Sequence, residues 1–443
     1  MAAGWLFGKD ARYVNDPEQH IVVLGGGFAG LTFCQSLRHS RARITLVDRT
    51  NHHLFQPLLY QVATAGLSAP EIAQPIRSIL SDHEKVTVLL DEVRDIRLAE
   101  RKVMLAGQTL EYDYLVIALG GATSYFGHPE WEQFAPGLKS LDDAMRIRRD
   151  VLLAFERAEM EADAERRRKL MTIAVVGGGP TGVELAGSFA ELTRTVLKGD
   201  FRRINPSDSH VVLIENSPRL LGAFSEDLAR SARDQLESLG VEVWTGCRVE
   251  EIREGEVKVS RNGSVETLAA CNVIWAAGVG ASPLTRGLGV ETDRAGRIKV
   301  EPDLSLPGHA DVFALGDLAL VMDDNGKPVP GVSPAAIQMA QHTARTIRDE
   351  LDRPHRAGRR PFKYWDKGSM ATIGRSAAVA QVGKMEFSGL LAWLAWLFVH
   401  LVFLIGFRSK AAVLLHWIYS YCTYKRGARI VFGEETRPPD AGA

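Results

Sequence analysis

The sequence predicts an α/β chain built on two copies of one strand–turn–helix–strand unit, with an apolar and basic tail of different character. Three observations support this. Gly25-Gly26-Gly27-Phe28-Ala29-Gly30 follows the apolar run Ile21-Val22-Val23-Leu24, and Gly177-Gly178-Gly179-Pro180-Thr181-Gly182 follows Ile173-Ala174-Val175-Val176. Between Glu386 and Glu434 there is no acidic residue. One Gly-x-Gly-x-x-Gly turn among 41 glycines carries little weight, but two in the same context carry much.

In the first unit each glycine answers a physical demand. Gly25 permits the tight turn, Gly27 lets backbone approach a pyrophosphate, and Gly30 lets the helix pack against the sheet. The helix N-terminus offers unpaired N–H groups and a partial positive charge to phosphate. A helical stretch to about Ser40 and a second strand at 44–47 lead to Asp48, whose carboxylate can accept from ribose hydroxyls. The second unit repeats the plan through Gly177, Gly179 and Gly182, a helix through Leu197, and a strand at 211–214 capped by Glu215. This acid arrives late because 198–209 reads as an inserted loop. Both units are therefore Rossmann-like dinucleotide-binding units.

A chain of 443 residues with 46% hydrophobic and 24% charged residues is globular and long enough for about three structural units. The net charge is −1 and no basic run with interleaved aromatics occurs in the globular part, which argues against a nucleic-acid partner. Cys34, Cys247, Cys271 and Cys422 form no Cys-x-x-Cys pair and read as reduced thiols; no metal site is assigned. The first twenty residues lack a signal-peptide core, and 1–19 reads as a tail.

Residues 51–61 form a loop-like run too apolar to be left in water. Strands are expected at 86–88, 102–105 and 114–119, the last ending at Gly120-Gly121, where backbone can approach a ligand. Residues 142–170 read as a charged, solvated helix joining two domains. A strand at 273–277 ends at Gly278 and mirrors the one before Gly120; another at 311–316 ends in Asp317 and precedes a helix at about 335–351.

The tail has two parts. Residues 390–407 are almost wholly apolar, with Trp393 and Trp396 near the start and His400 the only polar interruption. Residues 411–424 are shorter and more amphipathic. Two helices on or partly in one leaflet are expected, with a single span or a buried dimer core as alternatives. Arg408, Lys410, Lys425, Arg426 and Arg429, without opposing acids, would attract anionic lipid.

These residues, together with the segments 53–64, 275–279, 314–317 and 366–375, are similar to those of the type II NADH:quinone oxidoreductases, non-pumping NADH dehydrogenases of respiratory membranes. The resemblance covers 20–433. It implies non-covalent FAD on Gly25, Gly27, Gly30, Asp48 and Asp317, and NADH on Gly177, Gly179, Gly182 and Glu215, with Gly278 also at the cofactors. Glu215 would accept from a ribose 2′-hydroxyl and repel a 2′-phosphate, so NADH should be preferred to NADPH. The implied domains are an FAD-binding domain in two parts (20–141 and 301–385), an NADH-binding domain with its helical connection (142–300), membrane-anchoring helices (386–433) and a final tail (434–443).

Glu184 has two readings. From residues alone it is a first-turn carboxylate stabilised by the helix dipole; the resemblance gives it a proton-handling role beside the quinone route. The family's Ala-Gln-x-Ala-x-Gln segment corresponds to 333–338, where Gln338 is retained and Pro334 replaces the first glutamine. Lys367 would approach the isoalloxazine or the quinone tunnel. The implied partners are a membrane quinone (ubiquinone or menaquinone), the lipid bilayer surface and a second copy in a homodimer, at the cytoplasmic face of the cell inner membrane. Proton pumping is not expected, since no series of membrane helices with buried ionisable groups occurs. A sulfide:quinone oxidoreductase or a disulfide reductase would need paired reactive cysteines; an FAD- and NADH-holding redox sensor would need no acceptor site.

Overall fold

The structure is a computed structural model that describes residues 18–261, 263–353, 358–423 and 427–431. The expected tails, apart from Glu18 and Gln19, and the basic residues Lys425 and Arg426 lie outside the described residues. The chain folds into two units, one formed by the described parts of Met1–Asn51, Ile76–Gly120 and Ala281–Tyr364, the other by those of His52–Pro75, Gly121–Gly280 and Trp365–Ala443.

In the first unit a six-stranded sheet runs in the order Ser305–Leu306, His309–Ala314, Tyr114–Ile117, His20–Leu24, Arg43–Asp48, Val86–Leu90. All neighbours are parallel except the terminal hairpin. Every residue of His20–Leu24 is buried, as the centre of a parallel sheet covered on both faces requires. The helix Phe28–Ser36 packs on Ser333–Asp352 and stops short of Ser40: Leu37 leaves the helical conformation, at φ −99° and ψ 17°, and shares its N–H between the Phe33 and Cys34 carbonyls. Pro334 sits in the first turn of Ser333–Asp352, where a missing N–H removes no intrahelical hydrogen bond.

The second unit carries a four-stranded parallel sheet, Val241–Thr245, His210–Glu215, Thr172–Val176, Asn272–Trp275. The helix Pro180–Glu191 continues through one wider turn, Leu192–Val196, as far as the sequence suggested. The following loop is pinned by Glu159, whose carboxylate accepts from the backbone N–H groups of Arg202, Arg203 and Ile204. Leu141–Met160, which bears Glu159, starts at a Ser140/Asp143 capping box. It is not the solvated connector expected from its charge: Ile147, Val151, Phe155 and Ala158 bury one face at helical spacing.

The run 51–61 is likewise more regular than a loop. His52–Leu54 pairs with Ala73–Pro75, and Leu59–Ala63 is a short helix buried along its length. A meander of Ser369–Gly374, Ala377–Val382 and Met385–Ser388 packs on Pro180–Glu191. The contact is backbone to backbone, since a Cβ on Gly187 would overlap the Ile373 carbonyl.

Gly389–Phe403 lies on this meander through Ala392, against Ala378 and Ala380. Its 15 residues rise about 22 Å, short of a hydrocarbon core about 30 Å thick. Among the described residues no helix is long and apolar enough to cross a membrane. Gly406, at φ +81°, turns the chain into Phe407–Thr423, and Lys410 crosses the turn to donate to the Val402 carbonyl at 2.8 Å. Trp396, Val413 and Trp417 face inward, whereas Leu391, Phe398, Phe407 and Leu415 are each at least 66% exposed. Arg429 is not without an opposing acid, because it pairs with Asp200.

Gly187→Ala should force the Pro180–Glu191 helix off the meander, lowering unfolding free energy by about 1–3 kcal/mol. Thermal melting would show it; an unchanged melting temperature would refute a tight backbone contact here.

Candidate functional site

The two glycine turns have the same construction. Gly25 and Gly177 have φ of +101° and +112°, and a Cβ on either would run into the neighbouring strand's backbone, at Ala118 and Ala276 respectively. A Cβ on Gly30 or Gly182 would overlap the carbonyl of Gly25 or Gly177. Gly27 and Gly179 instead face open space, with nothing within 4 Å of the Cβ position. Each turn thus leaves an uncovered backbone patch at a helix N-terminus, which suits a dinucleotide pyrophosphate.

The two acids are also equivalent. Asp48 accepts from Gly26 N at 2.6 Å through one oxygen and from Thr50 through the other. Glu215 accepts from Gly178 N at 2.6 Å and from Ser217 N at 2.6 Å. Each carboxylate therefore shapes its turn first, and lone pairs remain for a ribose hydroxyl, since two oxygens offer about four acceptor sites.

In the first unit Asp317 follows His309–Ala314 in the turn Gly316–Leu318. Gly316 N donates to Met339 Sδ at 3.3 Å, which ties this turn to the residue after Gln338. Gln338 lies on the half-buried flank of Ser333–Asp352, between the buried pairs Ala335/Ala336 and Met339/Ala340.

In the second unit an open cavity of about 120 Å³ is lined by Tyr60, Thr181, Glu184, Trp275 and Gly278 among others. At Gly278, with φ +86°, an added Cβ would meet Phe126 and the Ser124 carbonyl, which also accepts from the Trp275 indole at 2.9 Å. Glu184 is not in the first turn of its helix. It is the fifth residue of Pro180–Glu191, whose first turn holds no acid, so dipole stabilisation does not explain it. Glu184 is 9% exposed, and burial pushes its pKa up to about 8, against the opposing pull of the Thr372 backbone and the Trp396 indole.

The surroundings reinforce this. Tyr60 is held well above its ordinary pKa, chiefly by burial and next by the Glu184 charge, and its ring meets Trp396 edge-on at 6.3 Å. Trp396 stacks on His400 at 4.1 Å, and His400 Nδ1 donates to the Trp396 carbonyl at 2.8 Å. Burial lowers His400 to about 4, so the one polar residue of the apolar helix is neutral.

Lys367 is placed elsewhere. Its ammonium lies 5.5 Å from the rings of both Trp365 and Phe403, and Phe403 is about two helical turns from Trp396. Tyr60, Gln61, Trp396 and Trp417 were not singled out from sequence as site residues. Two adjacent polar side chains in the otherwise apolar stretch 58–63 were the available signal for the first pair.

The sequence model of the pyridine nucleotide-disulphide oxidoreductase family matches residues 19–344, and that of the NDH2 C-terminal domain matches 366–423. A type II NADH:quinone oxidoreductase of Mycobacterium tuberculosis is 46% identical over 421 residues, covering 93% of this chain and 90% of that protein. An NDH2 structure from Plasmodium falciparum, in complex with NADH, superposes with a TM-score of 0.85 at 21% identity over 94% of this chain and all of that one. The sulfide:quinone oxidoreductase of Aquifex aeolicus shares the fold at a TM-score of 0.70 and 17% identity, over 89% and 92% of the two chains. With a relative this similar along nearly its whole length, two dinucleotide cradles and the matching C-terminal domain, the chain belongs to the type II NADH:quinone oxidoreductase family.

Proposed function

We propose that the chain oxidises NADH and passes two electrons through FAD to a membrane quinone without pumping protons. The observation that carries it is the presence of two complete glycine-turn cradles, one per unit, with a buried carboxyl group beside the second. Bound FAD supplies the redox chemistry between hydride donor and quinone. Gly25, Gly27, Gly30, Asp48 and Asp317 hold it, and Gly177, Gly179, Gly182, Glu215 and Gly278 hold NADH.

Reducing a quinone by two electrons consumes two protons. Glu184, with a pKa near 8, carries a proton at neutral pH and is assigned as the proton donor. Gln338 contacts the quinone. Lys367, beside Phe403 at the end of the apolar helix, serves the quinone's entry side. The exposed faces of the two terminal helices meet lipid, which brings the protein to where a quinone dissolves. By analogy with the family, the chain acts as a homodimer on the cytoplasmic face of the inner membrane.

Assay of the purified holoenzyme with a short-chain quinone tests this reading. NADH should surpass NADPH in kcat/KM by roughly tenfold or more, because Glu215 opposes the ribose 2′-phosphate. Equal use of both donors would remove Glu215 from the site. Gln338→Ala should raise the quinone KM with little effect on the NADH KM.

Glu184→Gln should lower quinone reduction on the order of a hundredfold and abolish a fall in rate as pH rises through about 8. Stability supplies a second check. An unfolded glutamate titrates near 4.3, so the contribution of the buried carboxyl to stability is full below that value and is lost progressively as pH rises from there through about 8, where only the folded chain keeps the proton. Wild type should therefore lose stability across that window relative to Glu184→Gln; parallel pH–stability curves would contradict the assignment.

Phe398→Asp, on the exposed face, should weaken binding to phosphatidylglycerol-containing vesicles by about tenfold or more. Unaltered co-sedimentation with vesicles would place the lipid contact elsewhere.

A further inference from the structure

One hydrogen-bond chain in the second unit has a direction that chemistry determines. Trp417, on Phe407–Thr423, donates its indole N–H to Gln61 Oε1 at 2.9 Å. An indole can only donate, so the carbonyl end of the Gln61 amide must face Trp417 and the NH₂ end must face away. That end donates to the Tyr60 hydroxyl oxygen at 2.8 Å. The phenol oxygen is thereby an acceptor, and its own proton is left over. Tyr60 is 4% exposed and buried Gln61 and Trp417 lock the amide, so this proton needs a partner it does not find among the described residues. Tyr60 lines the Glu184 cavity.

We propose that the Tyr60 hydroxyl donates a hydrogen bond into this cavity to a carbonyl oxygen of a bound redox partner, either the nicotinamide carboxamide or the quinone. Gln61 and Trp417 are positioning residues: they fix the sense of the donor and touch no ligand. Burial keeps Tyr60 protonated over the working range, so it acts only as donor. The inference rests on the NADH:quinone reading and adds to it a contact that neither glycine turn supplies.

The test uses holoenzyme with FAD bound and two separate arms. The donor arm measures the NADH KM with ferricyanide, an acceptor that has no carbonyl oxygen; the acceptor arm measures the KM of a short-chain quinone at saturating NADH. Tyr60→Phe should raise one of the two KM values by about fivefold to tenfold while kcat changes much less, and the arm affected identifies the ligand. Trp417→Phe, which frees the Gln61 amide to turn over, should raise the same KM by about twofold to threefold. Equilibrium dialysis of NAD⁺ and of the quinone should show the matching loss of affinity without turnover.

If wild type oxidises NADH with quinone and Tyr60→Phe leaves both KM values and both affinities unchanged, the proposal is overturned. Unchanged KM values with a displaced Glu184 pH limb would overturn it too, because the proton would then belong to Glu184. Wild type that binds both ligands without turnover would instead defeat the NADH:quinone reading.

Discussion

Contact between backbone and backbone, with no side chain intervening, is the constraint on which both units rest. At Gly30 and Gly182 a helix sits directly on the carbonyl of its own turn, and at Gly187 the same helix meets the Ile373 carbonyl of the meander. These approaches orient the helix N-termini and leave Gly27 and Gly179 facing open space. A methyl group at any of the three contacts would lift the helix away. The suitability of the turns for an anion is therefore a by-product of how closely helix and strand are packed.

The same packing creates the chemistry of Glu184. The residues around it come from four distant stretches: Tyr60, the strand end at Trp275 to Gly278, Thr372 in the meander, and Trp396 in the apolar helix. Together they bury a carboxyl group that would be charged in solution, and the Thr372 backbone and the Trp396 indole only partly offset the effect of that burial. The high pKa follows from burial, and the helix dipole has little part in it because Glu184 lies past the first turn.

What the sequence disclosed was mostly local. The glycine turns, the acids Asp48 and Glu215, the strands that lead to Gly120 and Gly278, and the two-part tail all depend on residues adjacent in the chain, and they were legible. Long-range effects were not. The charge of 142–170 concealed an apolar face at helical spacing, and the apolar run 51–61 concealed a short strand pair with a helix. The link from Trp417 to Gln61 spans 356 positions, and only the folded chain brings the two together. Pro334 illustrates the converse: a departure from a family pattern is harmless to the helix, because it occupies a first-turn position whose N–H would have no intrahelical partner.

The double duty of Glu215 constrains how this chain can diversify. One of its oxygens fastens Gly178 and the other fastens Ser217, so the group proposed to read the ribose also braces the loop beneath it. Exchanging it for a neutral or basic residue to admit a phosphorylated coenzyme would slacken the loop in the same stroke. Admitting that coenzyme would require another brace for Gly178, and Asp48 with Gly26 places the equivalent loop of the first unit under the same constraint.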